Sequence, residues 1–124
     1  MPITTYTIQP KETPKNNLKI NLGLENNRRN AMQILSYMRV KKVFLKLEYK
    51  IIEGEYNGQK ESTLVMQGET TKTEYQIEKL VNYLNTICTQ DCISYKYNNN
   101  GVLQYNKSHK GQKQTFNNNY FLTF

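Results

Sequence analysis

Three carboxylates, Glu53, Glu55 and Glu61, flank the dipeptide Asn57-Gly58. Glu53 and Glu55 are two residues apart, so a strand would present them on one face. Carboxylates gathered in this way can do general acid–base work when a cleft shifts their pKa values. A solvated hairpin with Lys50 and Lys60 beside it explains the same residues without a site. His109, the sole imidazole, lies in Ser108-His109-Lys110-Gly111 with no apolar support around it. A catalytic histidine needs a third group to orient it on a rigid frame. Neither G-x-x-x-x-G-K-[ST] nor G-x-G-x-x-G occurs, so no phosphate-cradling loop is expected. Cys88 and Cys92 stand in a C-x3-C spacing, and a single histidine leaves a four-ligand zinc site short of donors. Two reduced thiols are expected, with no disulfide. The chain therefore reads as non-enzymatic, with no catalytic residue, no metal and no cofactor. A hydrolase built on Glu53, Glu55 or Glu61 with His109 is a remote alternative.

The cations carry a stronger signal. After Asp91 no acidic residue occurs up to Phe124. That stretch holds Lys96, Lys107, Lys110 and Lys113 among Tyr95, Tyr97, Tyr105, Phe116, Tyr120 and Phe121. Lysines neutralise phosphates and aromatic faces stack bases, which is the chemistry of nucleic-acid binding. Half-buried sheet tyrosines with a solvated rim of lysines would look the same. Arg28, Arg29, Arg39, Lys41 and Lys42 crowd the ends of a helix and join these candidates. The contact set for a nucleic acid or a partner is thus Arg28, Arg29, Arg39, Lys41, Lys42, Lys96, Tyr105, Lys107, Lys110 and Lys113. A surface rich in tyrosine and asparagine also suits protein contact, because it pairs rigid rings with adaptable amides.

The bulk properties agree with both uses. The chain has 124 residues, one domain by size, and a formal charge of +7. Its apolar fraction of 37% is low, and ten tyrosines and sixteen asparagines stand in for aliphatic mass. Abundant Asn, Lys far above Arg and no Trp suggest AT-rich coding, as in a low-GC bacterium, its phage, a plasmid or an organelle. No run approaches the roughly 18 apolar residues of a spanning helix. The stretch MPITTYTIQPKETPKNN lacks the apolar core of a signal peptide. A cytoplasmic or virion location is expected, with no membrane partner and no small-molecule substrate.

The elements that would position these residues follow from periodicity. Residues 1–17 read as an arm broken by Pro2, Pro10 and Pro14. The domain proper is 18–124, with a basic, Asn- and Tyr-rich part over 98–124. Leu18, Ile20, Leu22 and Leu24 alternate as a strand with one buried side. Asn26 or Asn27 can cap a helix carrying Ala31, Ile34, Leu35 and Met38 at helical spacing. Val43 to Tyr56 is strand-like but breaks alternation, which a bulge or bend would repair. Asn57-Gly58 turns the chain into a partner strand over 61–68. Thr71-Lys72-Thr73-Glu74 matches a capping box ahead of a helix striped by Ile77, Leu80, Val81, Leu84, Ile87 and Cys88. Cys92 to Tyr97 alternates as a strand, Asn98 to Gly101 turns, and VLQYN returns. SHKGQKQTFNN reads as a polar loop, and YFLTF as a short strand or anchor. The order β-α-β-β-α-β-β predicts an α+β two-layer sandwich, mostly antiparallel, with two helices on one face and a ferredoxin-like arrangement.

Asn26 to Leu35, then GEYNGQKESTLV, then a helix followed by Gln90-Asp91-Cys92-Ile93-Ser94-Tyr95, resembles a family of small α+β domains of unknown function in bacteria and their phages. That family shows an Asn-bearing helix, a hairpin of the form G-x-Y-x-G-x-x-E-S, and a helix ending in Q-(D/E)-(A/C)-(I/V). The resemblance spans about residues 18–97 and implies Glu61 and Gln90 as shared polar positions. It brings no activity with it. The tail after Tyr97 and the arm before Leu18 depart from the pattern. The resulting expectation is a phage-type binding or assembly protein acting on a protein partner or as a homo-oligomer. A nucleic-acid-binding accessory protein is the alternative.

Overall fold

A computed structural model of the chain describes residues 13–56, 58–106 and 113–116. Six strands and two helices occur among them: β1 Asn16–Gly23, α1 Ala31–Val40, β2 Glu48–Tyr56, β3 Gln59–Thr70, α2 Glu74–Ile87, β4 Cys92–Tyr97, β5 Asn100–Tyr105 and β6 Lys113–Phe116. The strands form one sheet in the order β2-β3-β1-β4-β5-β6, and every pairing is antiparallel. The first four strands have the order that a split β-α-β-β-α-β unit produces, so the ferredoxin-like arrangement holds. The pair β5 and β6 widens that sheet beyond β4.

The core explains why both helices lie on one face. Cross-strand partners point to the same side of a sheet, so register assigns the faces. Ile20 lies opposite Met66 on one neighbour and Tyr95 on the other, and Leu22 lies opposite Leu64. These residues, with Ile93 and Val102, are buried in one cluster with Ile34, Leu35 and Met38 of α1 and Ile77, Val81 and Leu84 of α2. The i, i+3, i+4 spacing of the helical residues is what sets them in one stripe.

Asparagine does structural work in this core. Asn85 of α2 is fully buried and donates to the Gln104 carbonyl at 2.9 Å. The Gln104 side chain donates to Asn82 at 2.9 Å, and the Asn106 amide bridges the Asn85 and Gln90 carbonyls. Amides therefore pin the end of α2 to β5 and the chain after it, where a more aliphatic protein would use branched side chains. The network satisfies the amide donors but not every acceptor: among the described residues, Asn85 Oδ1 and Gln104 Oε1 are buried without a hydrogen-bond partner.

Several boundaries differ from expectation, each for a local reason. The α1 cap is Asn30, not Asn26 or Asn27: its side chain accepts from Gln33, whose side chain accepts from the Asn30 backbone in return. Asn27 instead accepts from the Arg29 N–H in a turn before the helix. The α2 cap is Thr73 paired with Gln76, not Thr71 with Glu74. In place of a bulged long strand, Val43 to Leu47 is a connection with Val43 and Phe44 buried, and β2 begins at Glu48. Asn16 and Asn17, assigned to the arm, belong to β1. The expected polar loop contains β6, paired to β5 from Gly101 to Gln104. The arm's first twelve residues, Asn57, His109 and YFLTF lie outside the described residues.

Candidate functional site

The carboxylates expected near the hairpin are not brought together. Glu53 is opposite Ser62 and Glu55 opposite Lys60, whereas Glu61 is opposite Gly54. Neighbours along a strand alternate faces, so Glu53 and Glu55 point to the helix side and Glu61 to the other. Glu53 pairs with Lys60 at 3.7 Å, with both side chains largely exposed, an arrangement worth little energy.

Glu61 sits elsewhere. β1 stops at Gly23, opposite Thr63, while β3 extends beyond it; with the end of α2 and the start of β4, β3 frames a pocket of about 170 Å3 lined by Asn26, Glu61, Thr89, Gln90, Asp91 and Cys92. Glu61 and Gln90, on β3 and just after α2, both line this pocket. A Cβ at Gly23 would stand 2.5 Å from the Glu61 carboxylate, so the glycine makes room for it. Gln90 is held by its own bonds: its backbone N–H donates to the Asn85 carbonyl and its side chain to that of Cys88. Thr89 adopts a left-handed φ of 50°, which closes the helix end but is unusual for a β-branched residue. Both cysteines are free, and burial pushes the Cys92 thiol up to about 12, so it is protonated and a poor nucleophile near neutrality. Among the described residues no group of His, Cys, Asp and Glu could hold a metal ion. At this volume the pocket is below the size of ordinary small-molecule sites.

Burial, with Glu25 nearby, holds the Glu61 carboxyl above the usual carboxylate range. A carboxyl raised in the folded state binds its proton more tightly there than in the unfolded chain. Ionising it costs stability as pH rises toward and through its folded pKa, and the cost is absent below the unfolded value of about 4. Glu61→Gln should therefore stabilise the protein near neutral pH by several tenths of a kcal/mol, a small effect because solvent still screens the group. Urea unfolding should show the difference fading as pH falls to about 4.

At the other end of the same sheet face lies a groove of about 470 Å3. Lys19 on β1 is directly opposite Lys96 on β4, and both line it, with Lys46, Glu48, Gln67 and Glu69. Burial and then the Lys96 charge hold the Lys19 ammonium below its usual pKa. Among the described residues, Lys96 is the one expected cation that lines this groove. Arg28 and Arg29 are exposed before α1, and Arg39, Lys41 and Lys42 follow at its far end. A helix of ten residues separates those groups by about 15 Å, so they do not make one patch. Tyr105 is half-buried at the end of β5, opposite Cys92. Lys113 begins β6, and Lys107 and Lys110 lie outside the described residues.

The surface that residue patterning did not reveal is the β2 edge. β2 ends the sheet order, so among the described residues no strand pairs with its outer side. Tyr49 and Ile51 are opposite Met66 and Leu64, on the helix side, yet they are 43% and 53% exposed. Leu45, just before the strand, is 55% exposed. Apolar residues that face the core side while staying wet mark the limit of helix cover. A signal was present in the apolar residues 45, 47, 49 and 51, but their exposure depends on which strand is at the edge.

Comparison with known proteins returned no matching family model, no matching curated protein and no matching solved structure. No described helix is long and apolar enough to cross a membrane.

Proposed function

We propose that the chain is a small non-enzymatic binding or assembly protein of a phage or similar low-GC element, working in the host cytoplasm or virion through protein–protein contact. As a virion component or an inhibitor of a host protein it would act by surface complementarity alone. The observation that supports this most is the nine-residue edge strand β2, with no strand on its outer side among the described residues and with Tyr49 and Ile51 exposed. An open edge offers a row of backbone donors and acceptors that an added strand can pair with, and the alternating side chains give selectivity. The test is capture of partners on immobilised wild-type protein and on an Ile51→Lys variant, washed at high salt. A partner retained by the wild type and lost by the variant is the expected result. Identical capture by both would remove β2 from the account.

A second reading rests on Lys19 facing Lys96 in the amide-lined groove, where an anionic backbone would relieve like-charge repulsion. Nucleic-acid binding would then weaken steeply with salt, and Lys96→Glu would weaken it at every salt concentration. Fluorescence anisotropy with single- and double-stranded oligonucleotides at low salt decides this, since no binding there excludes the reading.

A further inference from the structure

Resting on the reading of β2 as a contact edge, we infer that its occupant is the β2 edge of a second copy of this chain, paired antiparallel about a two-fold axis at Tyr49. Antiparallel self-pairing that keeps the helices of both copies on one side allows only registers in which partners share a face. Centred on Tyr49, β2 sets Glu48 against Lys50 on the face away from the helices, and Leu47, the last residue of the connection before β2, comes opposite Ile51 on the helix side; the pairing ends there, because the Lys46 carbonyl already lies over Gly68 of β3. The two-fold axis makes each pair twice, and Tyr49 meets its own copy. All of these are opposite-charge or apolar–apolar pairs, the kinds that stabilise a sheet. Neighbouring registers lack this match. Centring on Lys50 sets that lysine against itself. Centring on Ile51 leaves Tyr49 against Glu53 and Lys50 against Ile52. Centring on Ile52 sets Ile51 against Glu53 and Tyr49 against Glu55. Glu48, Tyr49, Lys50 and Ile51 are all exposed, and Leu47 is half-buried against the core on the helix side. Glu48 accepts from Gln67 at 3.5 Å, and Lys50 also has an interaction within its own chain. Neither contact takes these residues out of solvent. The product would be a continuous twelve-stranded sheet, from two sheets of six.

Sedimentation velocity on the full chain, from low to high micromolar concentration, tests this with a charge-reversal set. Wild type should dimerise reversibly. Glu48→Lys and Lys50→Glu should each weaken the dimer at least ~10-fold, because each sets like charges opposite one another on both sides of the axis. The double variant, with the pair reversed, should return to within ~3-fold of wild type. Mild oxidation should cross-link Tyr49→Cys into a covalent dimer, because residues at the axis lie ~4.5–5.5 Å apart between Cα atoms, inside the disulfide range. Ile51→Cys, four residues out of step with its own copy, should not cross-link. The idea is overturned if the wild type stays monomeric at the highest concentration. It is equally overturned by a dimer indifferent to both single reversals, or by a double variant no better than the singles. A monomer whose β2 edge still binds a different protein, and loses it in Ile51→Lys, would keep the contact reading and discard self-pairing.

Discussion

Ile20→Ala is expected to destabilise the protein by about 3–4 kcal/mol, measured by urea unfolding monitored by circular dichroism. Ile20 is fully buried on β1, the strand between β3 and β4. Met66 lies opposite it on one side and Tyr95 on the other, and both are fully buried. Sheet neighbours held by ladders on both edges cannot slide inward to fill the space, so the cavity persists and adds to the lost transfer energy. That is a large part of the roughly 5–15 kcal/mol a small domain has in total. Ile51→Ala is the control. The same side chain on the open edge β2 is 53% exposed, and its loss should cost under about 1 kcal/mol. If Ile51 proved as costly as Ile20, the edge would be covered within the monomer and the contact reading would fail.

Gly68→Ala should cost about 2–4 kcal/mol, from a different cause. Gly68 is in β3 beneath the connection from α1 to β2. A Cβ there would stand 2.5 Å from the Lys46 carbonyl oxygen and 3.1 Å from the Phe44 ring. The first contact is with backbone, which cannot rotate away as a side chain could, so the connection must lift off the strand. Phe44 is buried in the core cluster, so lifting it exposes apolar surface. Gly58 makes the comparison: its φ is 76° with open space around it, so alanine there should cost only the ~1 kcal/mol of the left-handed conformation. Thermal unfolding of the two variants side by side should show the larger loss at Gly68, where the Lys46 carbonyl blocks the added methyl.

Much of the fold was legible because its signals are local and repeated. The stripe from Ile77 to Cys88 and the alternation of Leu18, Ile20 and Leu22 each repeat a single period several times. Helix starts were harder, since this chain offers several capping side chains in a row. Asn26, Asn27 and Asn30 could each cap α1, and Thr70, Thr71 and Thr73 could each precede α2. Gln33 and Gln76, which complete the reciprocal boxes, decide the matter in the folded chain. The break of alternation before Glu48 was visible, but a bulge and a buried connection leave the same trace in one dimension. β6 was missed because Lys113 to Phe116 carries little apolar pattern, and its pairing depends on the strand it meets. The candidate surfaces were the least legible. Lys19 becomes a partner of Lys96 only through β1–β4 register, and the exposure of Tyr49 and Ile51 follows from sheet order. Charge counted along the chain overstated the helix-end cations, which the fold keeps apart.

The central claim is that β2 is the edge through which this protein makes contact. Hydrogen exchange read by mass spectrometry, on dilute and on concentrated protein, addresses it most directly. Edge-facing amides within residues 48–51 should exchange quickly when dilute and slow markedly when concentrated, while peptides from β3 and α2 remain unchanged. Exchange in β2 that is unchanged both on concentration and on addition of a captured partner, with any added protection falling on the Lys19–Lys96 groove instead, would contradict the account.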